Sequence, residues 1–295
     1  MPLATFNSPV PKGLHPMHKG WSPVEMAEPV MKQRLRQCWL DRSLLPGVMA
    51  VLIWICLFAL DRLAFDCAEA SSATPARQTF EQAKREYEAH PNEPEPAWHF
   101  ARAAFDSAGA AANNTDRAGF AQQGITACKQ ALAQNTNLAQ LHYYLALNQG
   151  QLARTRGLSA LKLVDQMEVE FIRAIELDAS FDHAGAERSL GMLYRDAPAL
   201  ASIGSRSKAR VHIQRAVELA PGYPENRLIL IESELKWGDR KRARSELKLL
   251  EDSWPHAHSE LSGLEWAGGW SDWTERLEKV KKTLEEPARI ESPHH

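Results

Sequence analysis

Neither charge is in excess across these 295 residues: 35 Lys and Arg stand against 37 Asp and Glu, a net −2 at pH 7. A protein that holds nucleic acid by its phosphates needs a basic surplus, so that class of function is disfavoured from the outset. Runs rich in Val, Ile and Thr with alternating polarity are scarce, which speaks against sheet. Cysteine is sparse as well: Cys38, Cys56, Cys67 and Cys128 show neither a CxxC spacing nor a His pair at ligand distance, so no zinc site is expected. GxGxxG, GxxxxGK[ST], HExxH and GxSxG are all missing. Nucleotide, metalloprotease and α/β-hydrolase chemistry thus lack their defining spacings, and the chain reads as no enzyme, with neither cofactor nor metal.

Ala, Leu, Glu, Arg, Lys and Gln dominate from about residue 76, which predicts an all-α body. Ahead of it, residues 44–60 read LLPGVMAVLIWICLFAL without a charge, long for a signal-peptide core and at the lower limit for a membrane span. Lys32, Arg34, Arg36 and Arg42 precede this run, whereas Asp61, Asp66 and Glu69 follow it around a single Arg62. The positive-inside rule then keeps the N-terminus cytoplasmic and puts the body on the outer side, periplasmic or extracytoplasmic. Residues 31–70 are therefore expected to be a signal peptide or a membrane anchor, with Ala68-Glu69-Ala70 offering a small-x-small cleavage site. Residues 1–30 and 287–295 look disordered, and Met31, ahead of KQRLRQ, is itself a natural start for such a segment. On the oxidising side Cys67 and Cys128 can pair; alternatively Cys128, on the apolar stripe of a predicted helix, packs as a small hydrophobe.

Self-similarity organises the rest. KQALAQNTNL at 129–138, IRAIELDASF at 172–181 and IQRAVELAPGY at 213–223 align without gaps, with Ala131, Ala174 and Ala216 as anchors 43 and 42 residues apart (174 − 131 and 216 − 174). These phrases resemble the second half of a tetratricopeptide repeat (TPR), in which a small residue packs between helices and Pro, here Pro221, ends the second. Leu190-Gly191 with Tyr194, and Leu230, Gly238-Asp239, Ala243 and Pro255, fit the remaining positions. Four helical hairpins over 76–255 then form a solenoid, because one hairpin cannot bury its apolar face alone. The stretched period predicts insertions between the two helices of a repeat at 107–116, 153–165 and 196–207. A helix from Ala76 to His90 covers the first repeat; a capping segment over 256–286, with a helix from Trp273 capped by Ser271-Asp272, closes the last. Trp254, Trp266, Trp270 and Trp273 are expected to dock that cap.

Asp182, His183 and Glu187 are the one tempting acid/His cluster. Asp182 nonetheless suits an N-cap and Glu187 the first turn of the helix it opens, which are structural roles. His256 with His258 and His294 with His295 are ordinary surface pairs, and Lys236 with Arg240, Lys241 and Arg242 alternates with acids as on a solvated helix face. TPR register places His99, Asp106, Tyr143, Leu147, Arg188, Met192, Arg195, Glu232 and Lys236 on the inner helices, lining a groove for a partner or ligand. There Arg188 and Arg195 can fork to carboxylates and Tyr143 can offer an apolar platform.

HYYLALNQGQLARTRG, FIRAIELDASFDHAGAERSLGMLYRDAP and SIGSRSKARVHIQRAVELAPGYPENRLILIE, within 142–250, together resemble the T component associated with tripartite ATP-independent periplasmic (TRAP) transporters. That resemblance implies an exported helical scaffold that meets a periplasmic solute-binding protein. It also implies a cleft or pore for a small apolar or acidic ligand, and an ability to form homo-oligomers. Members are typically lipoproteins, whereas Asp66 stands here where a lipobox has a small residue before its Cys.

Overall fold

The computed structural model describes residues 75–134, 137–157 and 159–286. Residues 1–30, the apolar run 44–60 with its cleavage site, Cys67 and the tail 287–295 lie outside the described residues. No described helix is long and apolar enough to cross a membrane.

All regular structure among the described residues is helical. After α1 (Pro75–Ala89) come four hairpins: α2 (Pro94–Ala110) with α3 (Asn114–Leu132), α4 (Ala139–Ala153) with α5 (Ala160–Asp178), α6 (Phe181–Asp196) with α7 (Arg206–Leu219), and α8 (Pro224–Lys236) with α9 (Arg240–Glu260). A short 3-10 turn, Leu264–Trp266, leads into α10 (Ala267–Glu285). Helix starts follow local chemistry. Pro94 and Pro224 fill first-turn positions that need no amide donor, and the side chains of Asn113, Ser205 and Asp239 accept from the backbone N–H three residues on.

Each hairpin closes on a small residue. Ala131, Ala174, Ala216 and Ala243 are all buried, as the repeat alignment requires. At Gly191 a Cβ would sit 2.5 Å from Ile213 Cγ1 and 3.0 Å from its backbone nitrogen, so glycine alone lets α6 and α7 approach this closely. Gly238, at φ +79°, turns the chain between α8 and α9 in a conformation that costs a side chain about 1 kcal/mol or more. Phe80 of α1 packs on Phe100 and edge-on to Phe120, covering the first hairpin.

The apolar interior forms one large cluster through α2 to α7 and another where Leu228, Ile231, Leu250, Trp273 and Leu277 join α8, α9 and α10. The expected tryptophan cluster docks the last helix: Trp270 stands edge-on to Trp254 and to Trp273, at 5.2 and 5.0 Å. Three local expectations need correction. α10 begins at Ala267, not Trp273, and Asp272 pairs with Arg276 one turn on at 3.1 Å instead of capping. α9 runs through Pro255 to Glu260, since proline removes one amide donor but the surrounding helix persists. The stretch 107–116 is absorbed almost wholly into longer helices, leaving 111–113 between them. Cys128 is free and fully buried, as its packing as a small hydrophobe requires, and loss of water pushes its thiol far above the ordinary range.

Candidate functional site

The inner helices α2, α4, α6 and α8 lie side by side, and polar side chains join them. Asn148 of α4 donates to Ala101 O of α2, Tyr143 of α4 to Asp182 of α6, and Arg195 of α6 to Ser233 of α8. Asp182, His183 and Ala184 all have positive φ, between +52° and +61°, so the segment makes a left-handed turn before α6 winds normally. For residues with a Cβ this is strained, by about 1–2 kcal/mol each.

Surrounding side chains hold the turn. Arg188 Nη1 donates to His183 O at 3.2 Å and to Asn226 Oδ1 at 2.9 Å, and Nη2 reaches Asp182 Oδ2 at 3.3 Å. Asn226 Nδ2 donates to His183 O and to Ala216 O, both at 3.0 Å. Arg188 also lies over the Tyr223 ring, 5.3 Å from its centroid, and His183 stacks on that ring at 4.3 Å. Burial alone would make the Arg188 guanidinium easier to deprotonate; Tyr143, Tyr223, Asp182 and Glu225 more than reverse that, and it stays charged. Burial holds the His183 imidazole below its usual range, against the pull of Asp182, so it is neutral at pH 7.

This arrangement changes the meaning of most residues expected to line a groove. Arg188 is 7 % exposed and its donors are committed to the turn, so it forks to no incoming carboxylate. Tyr143 is fully buried with its hydroxyl spent on Asp182, hence no platform. Leu147 packs on the large core, and Met192 on Ile213, Val217, Ile229 and Leu230. Arg195 makes two bonds to Asp196, to which Lys236 also donates at 2.6 Å. Glu232 is gripped by Arg276 of α10 at 2.8 Å. The acid/His cluster disperses too: Asp182 is no N-cap, and Glu187 is buried against His212 Nδ1 at 2.6 Å.

His99 and Asp106, both on α2, keep groups available. The His99 ring lies against Trp98, and burial lowers its basicity. Asp106 makes no hydrogen bond or ion pair among the described residues. Loss of water lifts its carboxyl to about 6; Arg102 opposes the rise and Asp182 adds to it. Arg102, one turn before Asp106 on the same face, was legible from the register yet absent from the expected set. Its charge is felt at Tyr144 and at Tyr223, where burial dominates and pushes both phenols up. Trp98 stacks parallel to Tyr144 at 5.9 Å, and Phe181 meets Tyr144 edge-on. The charged side chains of α2 that no hydrogen bond or ion pair ties down among the described residues are therefore Arg102 and Asp106. No group of three or more metal-ligating side chains exists among the described residues.

A family model described as regulator of microtubule dynamics protein 1-3 matches residues 61–185. No curated protein matches the chain. Among solved structures, a thermophilic TPR protein of Thermus thermophilus (TTC0263) is 19 % identical with a TM-score of 0.50, over 77 % of this chain and 95 % of its own. The crystal structure of MamA is 17 % identical with a TM-score of 0.44, over 61 % of this chain and 89 % of its own. With the anchor alanines, the hairpin order and the likeness to the thermophilic protein together, the chain is a TPR-like helical-repeat protein.

Proposed function

We propose that this chain is a non-catalytic scaffold that receives a segment of another protein on the inner face of its hairpins. The carrying observation is the contrast along that face: the polar groups of α6 and α8 are tied to one another, while Arg102 and Asp106 of α2 make no hydrogen bond or ion pair among the described residues. Paired charges hold the stack together; unpaired ones are what a bound segment engages.

The test places a photo-crosslinking amino acid at position 99 on the inner face and, as a control, at Val211, which is 62 % exposed on α7. The full chain in its own cells should yield a crosslinked protein from position 99 and not from 211. No protein adduct, or the same adducts from both positions, would overturn the scaffold reading.

In its specific form, the apolar run 44–60 anchors or exports the chain, the repeats face the extracytoplasmic side, and the partner is a TRAP-type solute-binding protein. The resemblance over 142–250 supports that form. The family match over 61–185 favours a second one, in which the partner belongs to the microtubule system. Mass spectrometry of the adduct decides between them. A small acidic or apolar ligand in place of a protein would appear instead as a bound mass in native spectra of the freshly isolated chain.

A further inference from the structure

We propose that the edge of the solenoid formed by the four hairpin tips is a docking surface that lies on the anionic headgroups of a membrane. The inference goes beyond the docking of a protein segment; it rests on the form of that reading in which the run 44–60 anchors the chain.

Successive helices alternate in direction, so the four tips fall on one edge and the connections between hairpins on the other. Contacts mark both rows. At the tips, Lys236 donates to Asp196 at 2.6 Å and Arg206 lies over the Trp237 ring. On the opposite edge, Gln134 donates to Asn92 and Asn226 to His183 O. Each turn can be taken with the last four residues of the helix before it and the first four of the helix after it. So bounded, the tips carry eleven Lys and Arg against four Asp and Glu, whereas the opposite edge carries two against eleven. A chain of net −2 is thus folded into one basic edge and one acidic edge. Helix dipoles do not account for the division, because each edge collects as many helix starts as helix ends.

Three observations select a bilayer as what covers the basic edge. Arg154, Arg156, Lys162, Arg206 and Lys241 are exposed and form no ion pair among the described residues, so their charge is open to headgroup phosphates. Leu200 is fully exposed at the third tip, on a loop that is braced and not slack. Ser202 N donates to Pro198 O at 2.9 Å and Ser205 N to Tyr194 O at 2.8 Å, and a Cβ on Gly204 would come within 2.0 Å of Ala197 O. An apolar side chain held out on an edge of cations suits the boundary between headgroups and acyl chains. Finally, the chain enters the repeats at this edge. Phe80 meets Phe120 near the start of α3 and Tyr87 donates to Gln130 near its end, so α1 runs in the direction of α3 and its first turns stand with the tips. Residues 61–74 join those turns to the run 44–60, a reach of at most about 50 Å. A tether entering there brings the basic edge to the bilayer, and the acidic edge, repelled by the same headgroups, turns away.

The test reconstitutes the full chain into lipid nanodiscs of phosphatidylcholine, with or without phosphatidylglycerol, and follows backbone hydrogen exchange. On the anionic discs the loops after α4 and α6 should exchange about tenfold or more slowly than on the neutral ones, while the connections after α1 and α5, on the acidic edge, stay unchanged. Molar salt, which shortens the screening length to about 3 Å, should erase the difference. Arg154→Gln, Arg156→Gln, Lys162→Gln and Arg206→Gln combined should erase it too, and if that variant does not fold the salt result decides alone. Equal exchange on both kinds of disc, or slowing that survives molar salt, would overturn the docking edge. Slowing at both edges that grows with the number of chains per disc would seat the acidic edge of a second copy on the basic one, and slowing by added polyglutamate but not by phosphatidylglycerol would assign the edge to an acidic protein; either overturns the proposal. A chain that alkaline carbonate strips from the discs has no anchor, and the proposal then falls with that reading while the scaffold stands.

Discussion

Asp106 and Cys128 show what loss of water does to two groups, in part for the carboxyl and wholly for the thiol. The thiol is kept in its neutral form, so its burial in the core is that of a small apolar side chain. The carboxyl, lifted from 3.8 to about 6, is ionised at neutral pH at the expense of stability. The sign follows from proton uptake. Between about 4 and 6 the folded chain holds the Asp106 proton more tightly than the unfolded chain, so this group's contribution is greatest below 4 and falls as pH rises through 6. Asp106→Asn removes the dependence. Above pH 6 the variant should be the more stable, and the difference should vanish by pH 4. Thermal or urea melts of both proteins from pH 4 to 8 check this; a difference that stays flat across that range would refute it. Asp106 was legible because repeat register alone puts it on an inner helix. Its isolation was not, since that depends on which neighbours pair elsewhere.

At the level of the elements, the left-handed turn at the start of α6 is the feature that sequence patterning hid. FDHAGAERSLGMLY reads as one ordinary helix with Asp182 as its cap, because none of Asp182, His183 and Ala184 is glycine and no pattern marks a positive φ there. What holds the turn includes a residue 43 positions beyond His183. Asn226, at the start of α8, donates to His183 O and receives Arg188, so long-range polar contacts override local helix preference. Repeat register alone puts Arg188 and Tyr143 on inner helices without showing the contacts that bury them, whereas the hairpins, their anchor alanines and the Gly238 turn are readable from spacing. Asn226→Ala should leave His183 O and Ala216 O without a donor and Arg188 short of an acceptor, in a site where Asn226 is 1 % exposed. A loss of about 2–4 kcal/mol is expected. Hydrogen exchange should locate the loosening in 182–188, and an exchange pattern there equal to wild type would show that the turn is held by something else.

Across the molecule, the hairpins contact chiefly their neighbours, so stability is shared between adjacent units and an end can open while the rest stays folded. The C-terminal end is fastened by charge as well as by its apolar cluster. Arg276 of α10 binds Glu225 at 2.8 and 2.9 Å, Glu232 at 2.8 and 2.9 Å and Asp272 at 3.1 Å, while Trp273 Nε1 donates to Glu225 at 2.7 Å. At the other end of α10, Arg240 and Arg244 donate to its last carbonyls, which lie at the negative end of the helix dipole. Burial would raise Glu225, but Arg276 reverses this and holds it below the usual carboxylate range. A depressed carboxyl contributes stability above its unfolded value that disappears as pH falls through the folded one, so this clasp is at full strength at neutral pH. Arg276→Ala leaves three carboxylates facing one another without their cation, at a cost of about 2–4 kcal/mol. The loss should be confined: amides of α8, α9 and α10 should exchange faster and the Trp266, Trp270 and Trp273 emission should shift toward that of water-exposed indole, while α2 to α5 keep their protection. Because the depressed Glu225 carboxyl gives up its contribution only as pH falls below the usual carboxylate range, the gap between variant and wild type should narrow there. Uniform loss of protection from α2 to α10 would mean that the repeats unfold as one cooperative block and that the C-terminal helix is no separable clasp.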